Sequence, residues 1–279
     1  MFSVMDAVLK GLILAIGVYN TLLWRNLAGT VISGAIYLMR PHRPFTRVAL
    51  KVHLLRAAVS TVMAVTFFWG LARIPMAQAV ALTFIAPLLS LFLSAVLLDE
   101  RIRRTTVVAS SAAFAGVAVI VVGQWRSELG PQALRGTIAV LASALLYAFN
   151  IVLMRRQALV AEPVEVAFSQ SAIVALLLAL GSPFLAVPPS LHHAGPIVFA
   201  AVLATLSLLL LAWAYARSDA SHLSTSEYTA FVWAAALGWL FFDENVTVTT
   251  LAGAGLIVCG CLLASRVKPV VASEVEALG

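Results

Sequence analysis

The chain has 279 residues, of which 62% are hydrophobic and 11% charged, with a formal net charge of +6. Soluble globular domains run about 45–50% apolar and about 25% charged, so an ordinary soluble enzyme, a disordered chain and a disulfide-built protein are all excluded. A membrane helix needs roughly 20 apolar residues, which leaves room for about ten crossings with short loops and for no separate soluble domain.

In chain order, apolar length and polar breaks predict a partial first helix over 1–11. Nine full spans follow, over 14–39, 54–73, 75–98, 105–123, 136–154, 164–187, 195–216, 221–242 and 248–266. A stub of that length reaches roughly 16 Å, about half the membrane, as a shortened or a partial helix. Pro41, Pro44, Pro75, Pro131, Pro163, Pro188 and Pro189 fall at the breaks, where a missing N–H does no harm. Residues 267–279 read as a polar tail.

The basic residues lie in inter-helix turns and not on one face of a polar domain, so nucleic acid is not expected as a partner. Alternate turns hold thirteen and four of them. The richer set is Arg40, Arg43, Arg47, Lys51, Arg56, Arg101, Arg103, Arg104, Arg155, Arg156, Arg217, Arg266 and Lys268. The poorer is Lys10, Arg73, Arg126 and Arg135, and Arg25 stands inside a span. The richer side is expected to be cytoplasmic, with both termini there. Cys259 and Cys261 are two apart in an apolar run and read as packing residues, with no metal site and no cofactor motif in the chain.

A charge at the bilayer centre costs about 2.5–3.5 kcal/mol, so each intramembrane polar group needs a reason. Arg25 sits mid-span between Trp24 and Asn26, either facing a substrate carboxylate in a wet cavity or held in an ion pair with Asp6 or Glu227. On the ninth span His222, Ser226, Thr229 and Trp233 share one face, and Glu227 flanks it. Glu227 is thus a candidate for substrate binding and proton coupling, or a packing charge paired with Arg217 or Arg25. His222 and Gln78 are weighed between substrate contact and an interfacial role. Asp6 is a second coupling candidate, or the partner of Lys10 one turn on. Asn150, with Tyr147 one turn away, either meets substrate or bonds between helices. Trp24, Trp69, Trp213 and Trp233 could stack on an aromatic substrate or simply pack. Ala109, Ala113 and Gly116 on the fifth span and Gly253 and Gly260 on the tenth suit close helix approach, within one chain or in a dimer. Monomer and homodimer both stay open.

Sliding the chain against itself by 144 residues aligns Trp69 with Trp213, Arg73 with Arg217, Asp99-Glu100 with Asp243-Glu244, Thr105-Thr106 with Thr249-Thr250 and Gly116 with Gly260. The same offset sets Asp6 on Asn150. Each copy holds five spans, an odd number, so the second must sit inverted. Three arginines follow Asp99-Glu100 and none follows Asp243-Glu244, as inversion requires. The expected fold is an all-α polytopic membrane protein of ten transmembrane helices in two inverted five-helix repeats, 1–123 and 136–266, the first helix truncated. Inverted repeats place a substrate site near the bilayer midplane.

The run Arg73-Ile74-Pro75-Met76-Ala77-Gln78-Ala79, then Phe84-Ile85-Ala86-Pro87 and Leu97-Leu98-Asp99-Glu100-Arg101, resembles the EamA domain of the drug/metabolite transporter superfamily. Leu237-Gly238-Trp239-Leu240-Phe241-Phe242-Asp243-Glu244 resembles the end of the same domain. Within the superfamily the chain looks most like bacterial amino-acid exporters of the YddG type, and similar sequences are associated with nucleoside-like, vitamin and cofactor-like substrates. The resemblance implies ten helices and transport of small metabolites, often export. Ala230-Phe231 departs from the acidic residue and proline that many members carry, so no role tied to that pair transfers.

Together these readings describe a secondary transporter in the bacterial inner membrane, exporting amino acids with aromatic or apolar side chains by alternating access. Its partners are a small-molecule substrate, the lipid bilayer and protons as the candidate coupling ion. Transport of heterocyclic metabolites, cofactors or drugs is the alternative. A membrane-embedded enzyme is more remote, because no convergent catalytic set is visible and His192-His193 do not form one.

Overall fold

The structure is a computed structural model that describes residues 1–39, 46–98, 104–125, 130–215 and 229–265. Among them every regular element is an α-helix. In chain order these are α1 (Phe2–Ile16), α2 (Val18–Leu38), α3 (Arg47–Leu71), α4 (Met76–Thr83), α5 (Ile85–Leu98) and α6 (Arg104–Trp125). They continue as α7 (Gly130–Ala158), α8 (Pro163–Ala179), α9 (Ser182–Leu185), α10 (Leu191–Tyr215), α11 (Thr229–Phe242) and α12 (Val248–Ser265). The first eight residues of the ninth predicted span and the polar tail lie outside the described residues.

Several boundaries differ from the sequence expectation, each for a local reason. The break after the first helix falls at Gly17, whose φ of 80° only glycine adopts freely, so α1 runs to Ile16, about five residues past the expected end at 11. Its apolar end, from residue 14, merges in hydropathy with the second span. α3 begins at Arg47 and not at 54, because the Thr46 hydroxyl accepts from the Ala49 N–H at 3.1 Å and caps it. The fourth span is two helices, parted at Phe84. Pro87 has no N–H to give the Thr83 carbonyl, and its ring would clash with that carbonyl in a continuous helix. α8 stops at Ala179, and the chain reaches α10 through the single turn of α9.

The repeat seen in the sequence recurs in the helices. Adding 144 to the first residue of α3 gives that of α10, and the residues of α5 and α11 are equivalent positions, helical in both. Packing follows the same exchange: α3 lies on α7 as α10 lies on α1, α3 on α8 as α10 on α2, and α5 on α7 as α11 on α1. The equivalent helices α6 and α12 pack on each other. A Cβ on Gly116 would stand 2.5 Å from the Gly253 carbonyl oxygen, and one on Gly260 would stand 2.5 Å from that of Ala109. These two contacts exchange under the 144-residue shift. Residue numbers rise along α6 as they fall along α12, so the two equivalent helices are antiparallel and the copies inverted. The small residues of the fifth and tenth spans thus meet inside one chain, where they bring two backbones close.

One core cluster runs through the bundle, with Leu9, Leu22, Leu71, Met76 and Leu82 fully buried. The outside carries large apolar side chains such as Leu191, Phe184, Val31 and Trp239. The helices over Arg47–Leu71, Gly130–Ala158 and Leu191–Leu211 are long and apolar enough to cross a membrane, and shorter apolar helices flank them. The chain is an all-α polytopic membrane protein.

Candidate functional site

Among the described residues, three clusters of buried polar side chains link helices of the bundle. The first lies between α1 and α2. Arg25 donates through Nη2 to Asn26 Oδ1 at 3.0 Å, and its Nη1 stands 4.0 Å from Met5 Sδ. Asp6 and Arg25 act on each other electrostatically, with no direct ion pair between them. Arg25 Nε is buried without a hydrogen-bond partner among the described residues, as is Thr21 Oγ1 one turn earlier. Gln170 Oε1 on α8 and Ser207 Oγ on α10 are in the same condition. Buried polar atoms nearly always find partners, so four orphans on three mutually packed helices are unusual. Gly29, one turn beyond Arg25, lets Ser171 and Thr205 approach α2: a Cβ there would lie 3.3 Å from Ser171 Oγ.

Trp24 points elsewhere. Its indole N–H donates to the Val187 carbonyl at 2.9 Å, and the ring lines an apolar cleft of about 350 Å³ with Leu27, Val31, Pro189, Ile197 and Val198. Asn20 accepts from the Val187 N–H at 2.8 Å and Tyr19 donates to the Leu178 carbonyl at 2.6 Å, which ties the start of α2 to the α8–α10 connection.

The second cluster joins α3, α7 and α8. Arg56 Nε donates to Asn150 Oδ1 at 3.1 Å, and its Nη1 donates to Gln157 Oε1. Asn150 donates to the Ser60 hydroxyl, and Gln157 Nε2 meets His53 Nδ1. Ser169 Oγ lies 3.2 Å from the same Nδ1, and His53 Nε2 lies 3.0 Å from Glu165 Oε1. The third cluster is an ion pair. Lys10 bonds to Glu244 Oε1 and donates to the Ile74 carbonyl at 2.8 Å, while Glu244 Oε2 accepts from the Met76 N–H at 2.8 Å. Glu244 therefore caps α4 and holds α1 to the α11–α12 connection.

The structure brings Asp6, Arg25 and Asn26 together and sets Asn150 apart in the second cluster. Gln78 is buried and donates to Thr137 Oγ1 at 3.3 Å, joining α4 to α7. Tyr147 is half-buried and packs against the small cluster of Ala86, Ala148 and Ile151 between α5 and α7. Trp233 is 61% exposed on α11, and Trp69 carries the Arg73 guanidinium 3.6 Å over its ring. His222, Ser226 and Glu227 lie outside the described residues.

Two assignments need correction. The sequence pattern places Arg56 and Lys10 in turns, whereas both are buried within helices, 4% exposed each. Asp6 does not pair with Lys10, which is held by Glu244. Sequence reasoning also passed over His53, Gln157 and Glu165. Their signal was present: His53, Arg56 and Ser60 recur at i, i+3 and i+7, and Asn150 and Gln157 at i and i+7, so each set lies on one helix face. Among the described residues no group of three or more His, Cys, Asp or Glu side chains could hold a metal ion.

Comparison with known proteins agrees with this architecture. The model of the EamA-like transporter family matches residues 1–122 and again residues 134–266. The pseudopaline exporter CntI of Pseudomonas aeruginosa is 28% identical over 271 residues, covering 96% of this chain and 93% of the relative. A riboflavin transporter of Rhizobium johnstonii is 27% identical, with 82% and 72% of the two chains covered. An S-adenosylmethionine uptake transporter of Rickettsia bellii is 23% identical, with 79% and 72% covered. A solved crystal structure shares the fold at 23% identity and a TM-score of 0.59, covering 94% of each chain. With both halves matched by one family model, the chain belongs to the EamA-like transporter family.

Proposed function

We propose that this small-molecule transporter exports amino acids with aromatic or apolar side chains, working as a secondary transporter by alternating access. The moving parts are two inverted five-helix units, 1–123 and 136–266, followed by the tail at 267–279. The observation that carries this reading is Arg25, a cation inside the bundle whose Nε has no partner among the described residues. A guanidinium is a natural partner for a carboxylate. Asp6, within electrostatic reach, suits an ammonium group, so the pair matches the two charges of an amino acid. Gln170 Oε1 and Ser207 Oγ, on the two helices packed against α2, are further acceptors without a partner among the described residues. Asn26 holds Arg25 in place. Tyr147, Asn150, Gln78 and Trp233, with His222, Ser226 and Glu227, complete the proposed path. Asp6 and Glu227 are its proton-coupling candidates. The arginine-rich turns support a bacterial inner-membrane protein with both termini in the cytoplasm. The relative named an exporter supports the direction. The relatives named for riboflavin and S-adenosylmethionine favour a second reading, transport of heterocyclic metabolites.

Counterflow in proteoliposomes containing only this protein separates the two. Phenylalanine, leucine and valine should exchange, and riboflavin and S-adenosylmethionine should not. Arg25→Gln should insert normally and lower flux about 10- to 100-fold, the worth of a hydrogen bond to a charged group. Exchange of the heterocycles alone would replace the amino-acid reading, and wild-type flux in Arg25→Gln would remove Arg25 from the site.

A further inference from the structure

The hydrogen bonds of the second cluster fix one another's direction. Arg56 has only donors, so the Gln157 atom facing it is Oε1. That turns Gln157 Nε2, also a donor, toward His53 Nδ1. Nδ1 must then accept, so the neutral ring carries its proton on Nε2 and donates it to Glu165. One amide thus links the tautomer of a buried imidazole to the position of a buried guanidinium. Among the described residues α8 sets Ser169 and Glu165 against the ring, and Tyr37 of α2, stacked on Phe168 at 5.2 Å, feels the charges of Glu165 and Glu162. α7 contributes the neutral Gln157 and Asn150, with Arg155 and Arg156 exposed beyond them. α4 carries no titratable side chain, and those of α1 lie beside Arg25 and Glu244.

We propose that His53 is a proton-binding site and that Gln157 passes its charge state to Arg56. Uptake of one proton from solution at Nδ1 makes the ring an imidazolium, whose Nε2–H stays on Glu165. Nδ1–H and Gln157 Nε2–H cannot face each other at hydrogen-bond distance. The amide turns over to present Oε1 to the ring. Its NH₂ then opposes Arg56 Nη1, and the guanidinium leaves Gln157 while keeping Asn150 through Nε. The Glu165 carboxylate, at 14% side-chain exposure, is the edge of the cluster nearest water, and His53 and Arg56 lie behind it. α3 belongs to one unit and α7 and α8 to the other, so the proton acts on the interface that alternating access must rearrange. This last consequence rests on the transporter reading, and the hydrogen-bond relay does not.

The test is ¹⁵N NMR of histidine, glutamine and arginine side chains in the full chain in lipid nanodiscs, titrated from alkaline to acidic pH, with His53 assigned from its loss in His53→Gln. At alkaline pH His53 should be the Nε2–H tautomer. On acidification it should gain a proton at Nδ1, and the Gln157 amide and Arg56 guanidinium resonances should shift with the same midpoint. In Gln157→Met, His53 should still titrate while Arg56 loses its response, and in His53→Gln the Arg56 response should also vanish. An alkaline Nδ1–H tautomer, a ring that stays neutral at acidic pH, or an Arg56 signal that ignores the His53 titration would each overturn the proposal. No flux enters this measurement, so its failure and a failure of the substrate assignment are told apart.

Discussion

Lys10 is a cation held in place by one carboxylate. Its side chain is 5% exposed and that of Glu244 17%. Removing one member of a buried pair strands the other charge, which costs about 3–5 kcal/mol, whereas neutralising both costs far less. Lys10→Met should therefore lower the thermal unfolding temperature clearly in detergent or nanodiscs. The double variant Lys10→Met/Glu244→Gln should recover most of the loss, since a glutamine oxygen can still accept from the Met76 N–H. Equal melting of Lys10→Met and the wild type would mean that the pair does not fasten α1 to the α11–α12 connection. Lys10 and Arg56 also mark where sequence reading stopped. A lysine or arginine near a span end lowers local hydropathy whether it reaches water or points inward, and only the packed partner decides which. Arg25 was legible because it sits more than two turns from either end of its span, too far for its charge to reach water.

Helix–helix contact is governed by how closely two backbones can approach. Gly116 and Gly253 meet where α6 crosses α12, and a Cβ on either falls against the other's carbonyl oxygen. Gly116→Leu should force the helices apart and cost about 1–3 kcal/mol, the usual penalty of overpacking. Gly255, on the same helix with nothing within 4 Å of its added Cβ, supplies the control. Gly255→Ala should leave melting unchanged or raise it slightly, because alanine favours helix by about 1 kcal/mol. If Gly116→Leu melts with the wild type, the close crossing is wrong. Most of this level was legible in the sequence: the spacing of small residues pointed to α6 and α12, and the offset of 144 carries α5 onto α11 residue for residue. The breaks were harder. Gly17 and Phe84 lie inside continuous apolar runs, where hydropathy is blind to a backbone turn and to a proline three residues on. The choice between an internal and a dimeric contact for the small-residue faces also needed the structure, since either would use the same residues.

At the scale of the molecule, two antiparallel copies form one bundle, and the proposed sites lie on opposite sides of their exchange. Asp6 and Asn150 occupy equivalent positions. In one setting the partner is Arg25 on α2, and in the other it is Arg56 on α3. The two halves therefore repeat a backbone but not a chemistry. All of this depends on the copies facing opposite sides of the membrane. Impermeant-thiol labelling of intact cells tests that claim directly, with Cys259 and Cys261 replaced by alanine and one cysteine placed at Asn245 or at Arg101, the latter outside the described residues. The two positions differ by 144 in number, so parallel copies would present them to the same side. The account predicts that Asn245→Cys reacts from outside and Arg101→Cys only after the membrane is opened, whereas labelling of both from one side would contradict the inverted architecture and the central site that depends on it.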